Sequence, residues 1–167
     1  MTRAGHLVGR FVGSLRPRRL DDADLDLVRS VLGPGERACW ERLGRADRAE
    51  SVATARALGP DADRAWVAAA LLHDVGKAET SFGPIRRAAA TAIALVAGSR
   101  RVRSWPNGVG RYVNHDELGS ARLREAGARP EAVAWAAAHH RRDRWGATGI
   151  APDICERLAA ADGEPPP

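Results

Sequence analysis

His73 and Asp74 stand side by side at the end of an apolar run, Ala62 to Val75, and carry the first chemistry that can be read from this chain. Asp74 follows Ala70 and Leu71 by four and three positions, so on a helix its carboxylate starts in apolar company. A buried carboxylate needs a partner, and a cation is one way to supply it. Asp162 poses the same question: it follows Cys155, Leu158 and Ala159 at helical spacing on an apolar face. It reads as an ion-pair partner, as a residue exposed at a frayed chain end, or as a metal ligand. The chain has five histidines, and His73, His115, His139 and His140 all fall near expected helix ends. Singly, each reads as a hydrogen-bonded structural residue. Together, imidazoles and carboxylates are the ligand types of Zn, Fe and Mn. A carboxylate such as Asp74 can bridge two ions, and such a pair activates water and neutralises charge on a phosphoryl group.

Lys77 adds to this reading. Of 26 basic residues it is the sole lysine, and it lies in the run His73-Asp74-Val75-Gly76-Lys77. A compact ammonium one turn beyond Asp74 could hold a phosphate oxygen or orient the nucleophile.

The elements that must position these groups are helices. Ala, Arg, Leu and Gly dominate, β-branched and aromatic residues are scarce, and no alternating strand pattern or internal repeat is found. Gly and Pro divide the chain into helical segments at 22–32, 35–43, 47–58, 62–75, 84–98, 114–127, 130–140 and 152–162. Asp61 is placed to cap the fourth. Asn114 with Glu117 reads as a capping box for the sixth, and an irregular link runs through Trp105-Pro106-Asn107-Gly108. The expectation is an all-α bundle of seven or eight helices, with a basic arm at 1–20, a single domain at 21–163 and a disordered tail at 164–167.

At 167 residues the chain can bury one core. No apolar run approaches the ~20 residues of a membrane span, and the basic start has no signal-peptide core. Cys39 and Cys155 have no metal-like spacing, which fits a reduced, cytoplasmic protein. The net charge of +5 comes with arginine clusters in the arm, at Arg100, Arg101 and Arg103, and at Arg141, Arg142 and Arg144. Most of these read as solvated surface, and no nucleic-acid signature accompanies them. In the arm, Leu7, Val8, Phe11, Val12 and Leu15 form an apolar helical face that could rest on its own domain, a partner protein or an anionic membrane.

The run Ala70-Leu71-Leu72-His73-Asp74-Val75-Gly76-Lys77 resembles the defining helix end of the HD superfamily of metal-dependent phosphohydrolases. Asn114-His115-Asp116-Glu117-Leu118-Gly119-Ser120-Ala121 is similar to its second His segment. His139-His140 is similar to the paired histidines of binuclear members, and Leu158-Ala159-Ala160-Ala161-Asp162 to its closing Asp helix. The whole chain, arm included, resembles small actinobacterial HD-domain proteins. The resemblance implies an HD-domain helical bundle that hydrolyses a small phosphorylated molecule or nucleotide. It implies one or two divalent ions (Fe, Mn, Zn, Ni, Co or Mg) held by His73, Asp74, His115, His139 and Asp162, with His140 and Glu50 as further ligands. Asp74 and Lys77 are the residues it puts in catalysis. One departure stands out: Glu50 occupies the place of the family's first metal-binding His. That substitution leaves room for a weakened module that senses a ligand or binds a partner. Some relatives instead use a di-iron centre for oxygen chemistry.

Overall fold

A computed structural model describes residues 18–80 and 82–164, so the expectations for the arm before residue 18 and for the tail 165–167 lie outside the described residues. The described residues form α-helices and two 3₁₀ turns, with no strand among them. In chain order the helices are α1 (Asp22–Val31), α2 (Pro34–Glu41), α3 (Arg45–Ala57), α4 (Arg64–Leu72), α5 (Pro84–Ala97), α6 (Ser99–Arg103), α7 (Gly108–Val113), α8 (His115–Glu125), α9 (Pro130–Ala138) and α10 (Pro152–Ala161). The 3₁₀ turns are Val75–Glu79 and Arg142–Ala147.

Local chemistry starts and stops these helices. Asp21 and Asp24 close a reciprocal capping box on α1, with Asp24 N donating to Asp21 Oδ1 at 2.8 Å. Glu36 reaches back to Gly33 N at 2.9 Å at the head of α2. Pro34, Pro130 and Pro152 occupy first-turn positions, where a missing N–H costs nothing. Gly127, with φ 67°, takes the left-handed conformation that ends α8.

The core is built on α4. Ala68 through Leu72 are fully buried there, and α4 packs against α1, α2, α3, α9 and α10. A helix apolar all round must be enclosed in this way. α8 lies across α9 and the turn Val75–Glu79, while α5, α6 and α7 pack on one another at the periphery.

Several boundaries differ from expectation. α4 is shorter than 62–75: Asp63, not Asp61, caps it, accepting from Ala65 N at 2.7 Å, and the chain tightens into a 3₁₀ turn through Gly76. The supposed irregular link contains α6 and α7. Asn114 makes no capping box with Glu117, because its side chain is taken by Arg103: Asn114 Oδ1 accepts from Arg103 Nη1 at 2.9 Å and Nδ2 donates to Arg103 O at 2.8 Å.

Several arginines neutralise buried acids, among them Arg18 and Arg103 from the clusters expected at the surface. Arg18 and Arg56 meet Asp24, Arg87 pairs with Asp47, and Arg103 with Asp116. Arg129 is the most connected. It grips both oxygens of buried Glu36 at 2.7 and 2.8 Å and also donates to the carbonyls of Val31 and Arg64. Burial pushes the Glu36 carboxyl up, but the Arg129 side chain and the amides of Arg129 and Gly33 hold it below its usual range.

Arg129→Ala leaves Glu36 buried without its cation and should cost about 3 kcal/mol near neutral pH, measured by urea denaturation. The folded Glu36 titrates below the unfolded one, so the pair's contribution is complete above the ordinary Glu pKa. It fades as pH falls through that value toward the folded one, and the gap between variant and parent should narrow in acid.

Candidate metal centre

Three histidines reach the centre by one local device. His73 follows the last residue of α4, and its Nδ1 lies 2.8 Å from Ala70 O. His139 follows α9, with Nδ1 3.0 Å from Ala136 O. His115 comes two residues after α7, with Nδ1 2.8 Å from Tyr112 O. In each case the ring meets the carbonyl three residues back, one of the groups a helix end leaves without an intrahelical donor. A carbonyl only accepts, so each Nδ1 carries a proton and each Nε2 is the ring atom left to face the centre. All three Nε2 atoms turn the same way.

They turn toward Asp74. Its Oδ1 lies 3.3 Å from His115 Nε2 and 3.6 Å from His139 Nε2. Its Oδ2 lies 3.3 Å from His73 Nε2 and accepts from Lys77 Nζ in a close contact. Asp162, which caps the end of α10, brings its Oδ1 to 3.4 Å from His73 Nε2. The carboxylate of Asp74 thus serves two lobes. Asp74, His115, His139 and His140 offer atoms within 4.8 Å of one another, a group that could hold an ion. His73, Asp162 and Lys77 gather around the other oxygen.

His140 sits at the mouth. Its ring is tilted against that of His139, with centroids 3.9 Å apart, and lies 5.1 Å from His115, yet its side chain remains 37% exposed. Glu50, on α3, is half-buried and falls outside the tight group of four, as do His73 and Asp162. Its carboxylate still acts on the centre, because it helps to raise the Lys77 pKa.

The electrostatics follow from this crowding. Burial opposes ionisation of Asp74, but Lys77 and His73 overcome it and hold its carboxyl well below the ordinary range. Burial would discharge His73, yet Asp74 and Asp162 lift its pKa well above the usual value. Lys77 is buried too, and Asp74 and Glu50 keep it charged. His139 goes the other way, lowered by burial and by its histidine neighbours.

A metal fits these residues. The Nε2 atoms of His73, His115 and His139, and Asp74 Oδ1, are buried polar atoms with no hydrogen-bond partner among the described residues. Such atoms are costly unless something completes them. Lone pairs on imidazole and carboxylate, converging in pairs and trios, are suited to a divalent cation.

The frame around the site includes residues that sequence reasoning missed. Asp116, fully buried, is held by Arg103 through both oxygens at 3.0 and 2.6 Å, and Arg141 Nε stands 3.3 Å away. Arg141 also donates to Ala137 O at 2.9 Å, which ties the end of α9 to the start of α8. Tyr112 lies against His115, with ring centroids 5.8 Å apart. An acid beside His115 was visible in the sequence, but nothing there brings two distant arginines to it. Gly76 and Gly119 let backbone meet backbone: a Cβ on Gly76 would stand 1.8 Å from His115 O, and one on Gly119 would stand 2.8 Å from Gly76 N.

A family model described as HD domain matches residues 47–166. The chain belongs to the HD-domain family. That superfamily is one of metal-dependent phosphohydrolases, and the match covers α3 to α10, the helices that carry every residue of the centre. No curated protein and no solved structure matches the chain.

Two substitutions test how this HD frame works. Gly76→Ala should destabilise the fold by about 3 kcal/mol or more, measured by chemical denaturation, because backbone atoms cannot make room for the methyl group. Asp116→Asn, which removes the charge that orders Arg103 and Arg141 beside His115, should weaken divalent-metal affinity by about 10- to 100-fold in titrations against a competing chelator.

Proposed function

We propose that this HD domain is a hydrolase of a small phosphoester or nucleotide, dependent on one or two divalent ions. The observation that carries the reading is the set of buried Nε2 atoms from His73, His115 and His139 facing Asp74. Asp74, His115, His139 and His140 would hold one ion. His73, Asp74 and Asp162 would hold a second, with Glu50 as a further ligand. A divalent ion bound there supplies Lewis acidity to a phosphoryl oxygen and makes water a better nucleophile near neutral pH.

The chain's own residues set the rest. Lys77 keeps a positive charge beside Asp74, and a fixed cation at that place favours the charge that develops on a phosphoryl group in its transition state. The Nδ1–carbonyl contacts lock each imidazole in the tautomer that binding requires. His140, partly open to solvent, marks the side from which a substrate would approach. Its neighbours Arg141 and Arg144 both reach Glu117 at that rim. They are cations able to meet an anionic substrate once Glu117 yields.

A second reading, a module that binds a ligand without turning it over, has one observation in its favour. Glu50 stands outside the tight group, where the family's pattern has a histidine. The two readings separate on metal content and turnover. Protein purified without added chelator should contain one to two equivalents by elemental analysis, and should hydrolyse a generic phosphodiester or members of a nucleotide panel only with metal present. Asp74→Asn should lose most of that metal, because it removes the negative charge and one oxygen of the carboxylate that serves both lobes. Glu50→His should retain metal at least as well as the parent. Less than one equivalent in the parent, with no turnover, would favour the binding module.

A further inference from the structure

α5 is turned inside out. It meets the rest of the protein through Ala90 and Ala94, which are buried, while its large apolar side chains face outward. Ile85 is 74% exposed, Leu95 70% and Val96 91%. Ile85, Ala89, Ala92, Ile93 and Val96 follow one another at helical spacing along a single outward stripe. Aliphatic side chains scattered singly on a surface need no explanation, but a continuous aliphatic stripe on an outward helix face does.

The charge around this face is one-sided. From Thr80 to His115 the sequence contains no acid, while it carries Arg86, Arg87, Arg100, Arg101, Arg103 and Arg111. Arg87 and Arg103 are used inside the protein, on Asp47 and Asp116. Arg86, Arg100, Arg101 and Arg111 are exposed, and none makes an ion pair among the described residues. α5, α6 and α7 pack on one another, so the apolar stripe and these arginines belong to one unit.

We propose that the α5–α7 unit docks on an anionic lipid surface, with Ile85, Leu95 and Val96 entering the headgroup boundary and Arg86, Arg100 and Arg101 meeting lipid phosphates. An amphipathic helix with aliphatic residues on one side and arginines beside them is the form that lies in a membrane interface. Basic residues near an anionic leaflet add to the apolar contribution. Among the described residues no helix is long and apolar enough to cross a membrane, so the contact is peripheral. A second copy of the chain fits less well. Its matching face would bring the same arginines together with no acid to meet them, and one 14-residue helix offers far less than the ~800 Å² per partner of a stable interface. Nucleic acid fits less well again, since the exposed face is aliphatic and offers no ring for bases to stack on.

The test is flotation of the full chain with vesicles of phosphatidylglycerol and, separately, of phosphatidylcholine. Binding to phosphatidylglycerol that weakens with salt, and little binding to phosphatidylcholine, is expected. Leu95→Glu/Val96→Glu and Arg100→Glu/Arg101→Glu should each lower partition about tenfold with unchanged thermal midpoint and metal content. No binding by the parent, or equal binding to both lipids, overturns the proposal. So does parent-like flotation of the Leu95/Val96 variant, which would assign binding to the basic N-terminal arm. A parent that sediments as a dimer and ignores lipid, with a monomeric Leu95/Val96 variant, would make the occupant a second copy.

Discussion

A carboxylate removed from water, that of Asp74, is the constraint on which the rest of this HD domain depends. It is 2% exposed and sits just past the end of α4, the helix on which the core is built. An isolated anion there would be untenable, so the fold must bring cationic or polarisable partners to it. Those partners come from well-separated stretches of chain. His115 and His139 face Oδ1, while His73 and Lys77 face Oδ2. The tight turn after α4 and the packing of α8 on that turn are what bring these groups together.

Convergence alone would leave imidazole rings free to rotate. The three Nδ1–carbonyl contacts remove that freedom at little cost, because the carbonyls involved lie at helix ends that need a donor. One hydrogen bond therefore finishes a helix and fixes a ligand's tautomer. Behind His115 the arrangement is reinforced twice. Asp116 is clamped by Arg103, with Arg141 alongside, and the paired glycines allow the turn Val75–Glu79 to touch α8 without an intervening side chain. Preorganisation of this kind lets a site discriminate by geometry rather than by flexible fitting.

Much of this was legible in the sequence for a physical reason. Polar residues on apolar helical faces are conspicuous, and His73, Asp74 and Asp162 announce themselves that way. Proline and glycine mark most helix ends within a few residues. What was not legible depends on distance in the chain. Arg103 reaches residues 114 and 116, and Arg129 reaches residue 36; no local pattern distinguishes such an arginine from a solvated one. Asn114 illustrates the competition directly, since a local capping rule lost to a partner supplied by tertiary structure. The outward apolar face of α5 was hidden for the same reason. Its periodicity suits a buried helix, and only the packed fold shows which side is covered.

The substitution at Glu50 is best understood through charge. Where the sequence resemblance leads one to expect a neutral imidazole, the carboxylate of Glu50 adds negative charge to the surroundings of Lys77. Lys77 answers part of that excess, and Glu50 is one reason its ammonium stays protonated despite burial. His73 answers another part, since its two flanking carboxylates make it hold a proton above the usual imidazole range. A proton on Nε2 and a metal on Nε2 are alternatives for the same lone pair. The carboxylates of Asp74 and Asp162 that favour the proton on His73 are thus the same groups that would favour a cation there. The effect of Glu50 that can be traced is on charge: with Asp74, it keeps the buried Lys77 ammonium protonated beside the shared carboxylate.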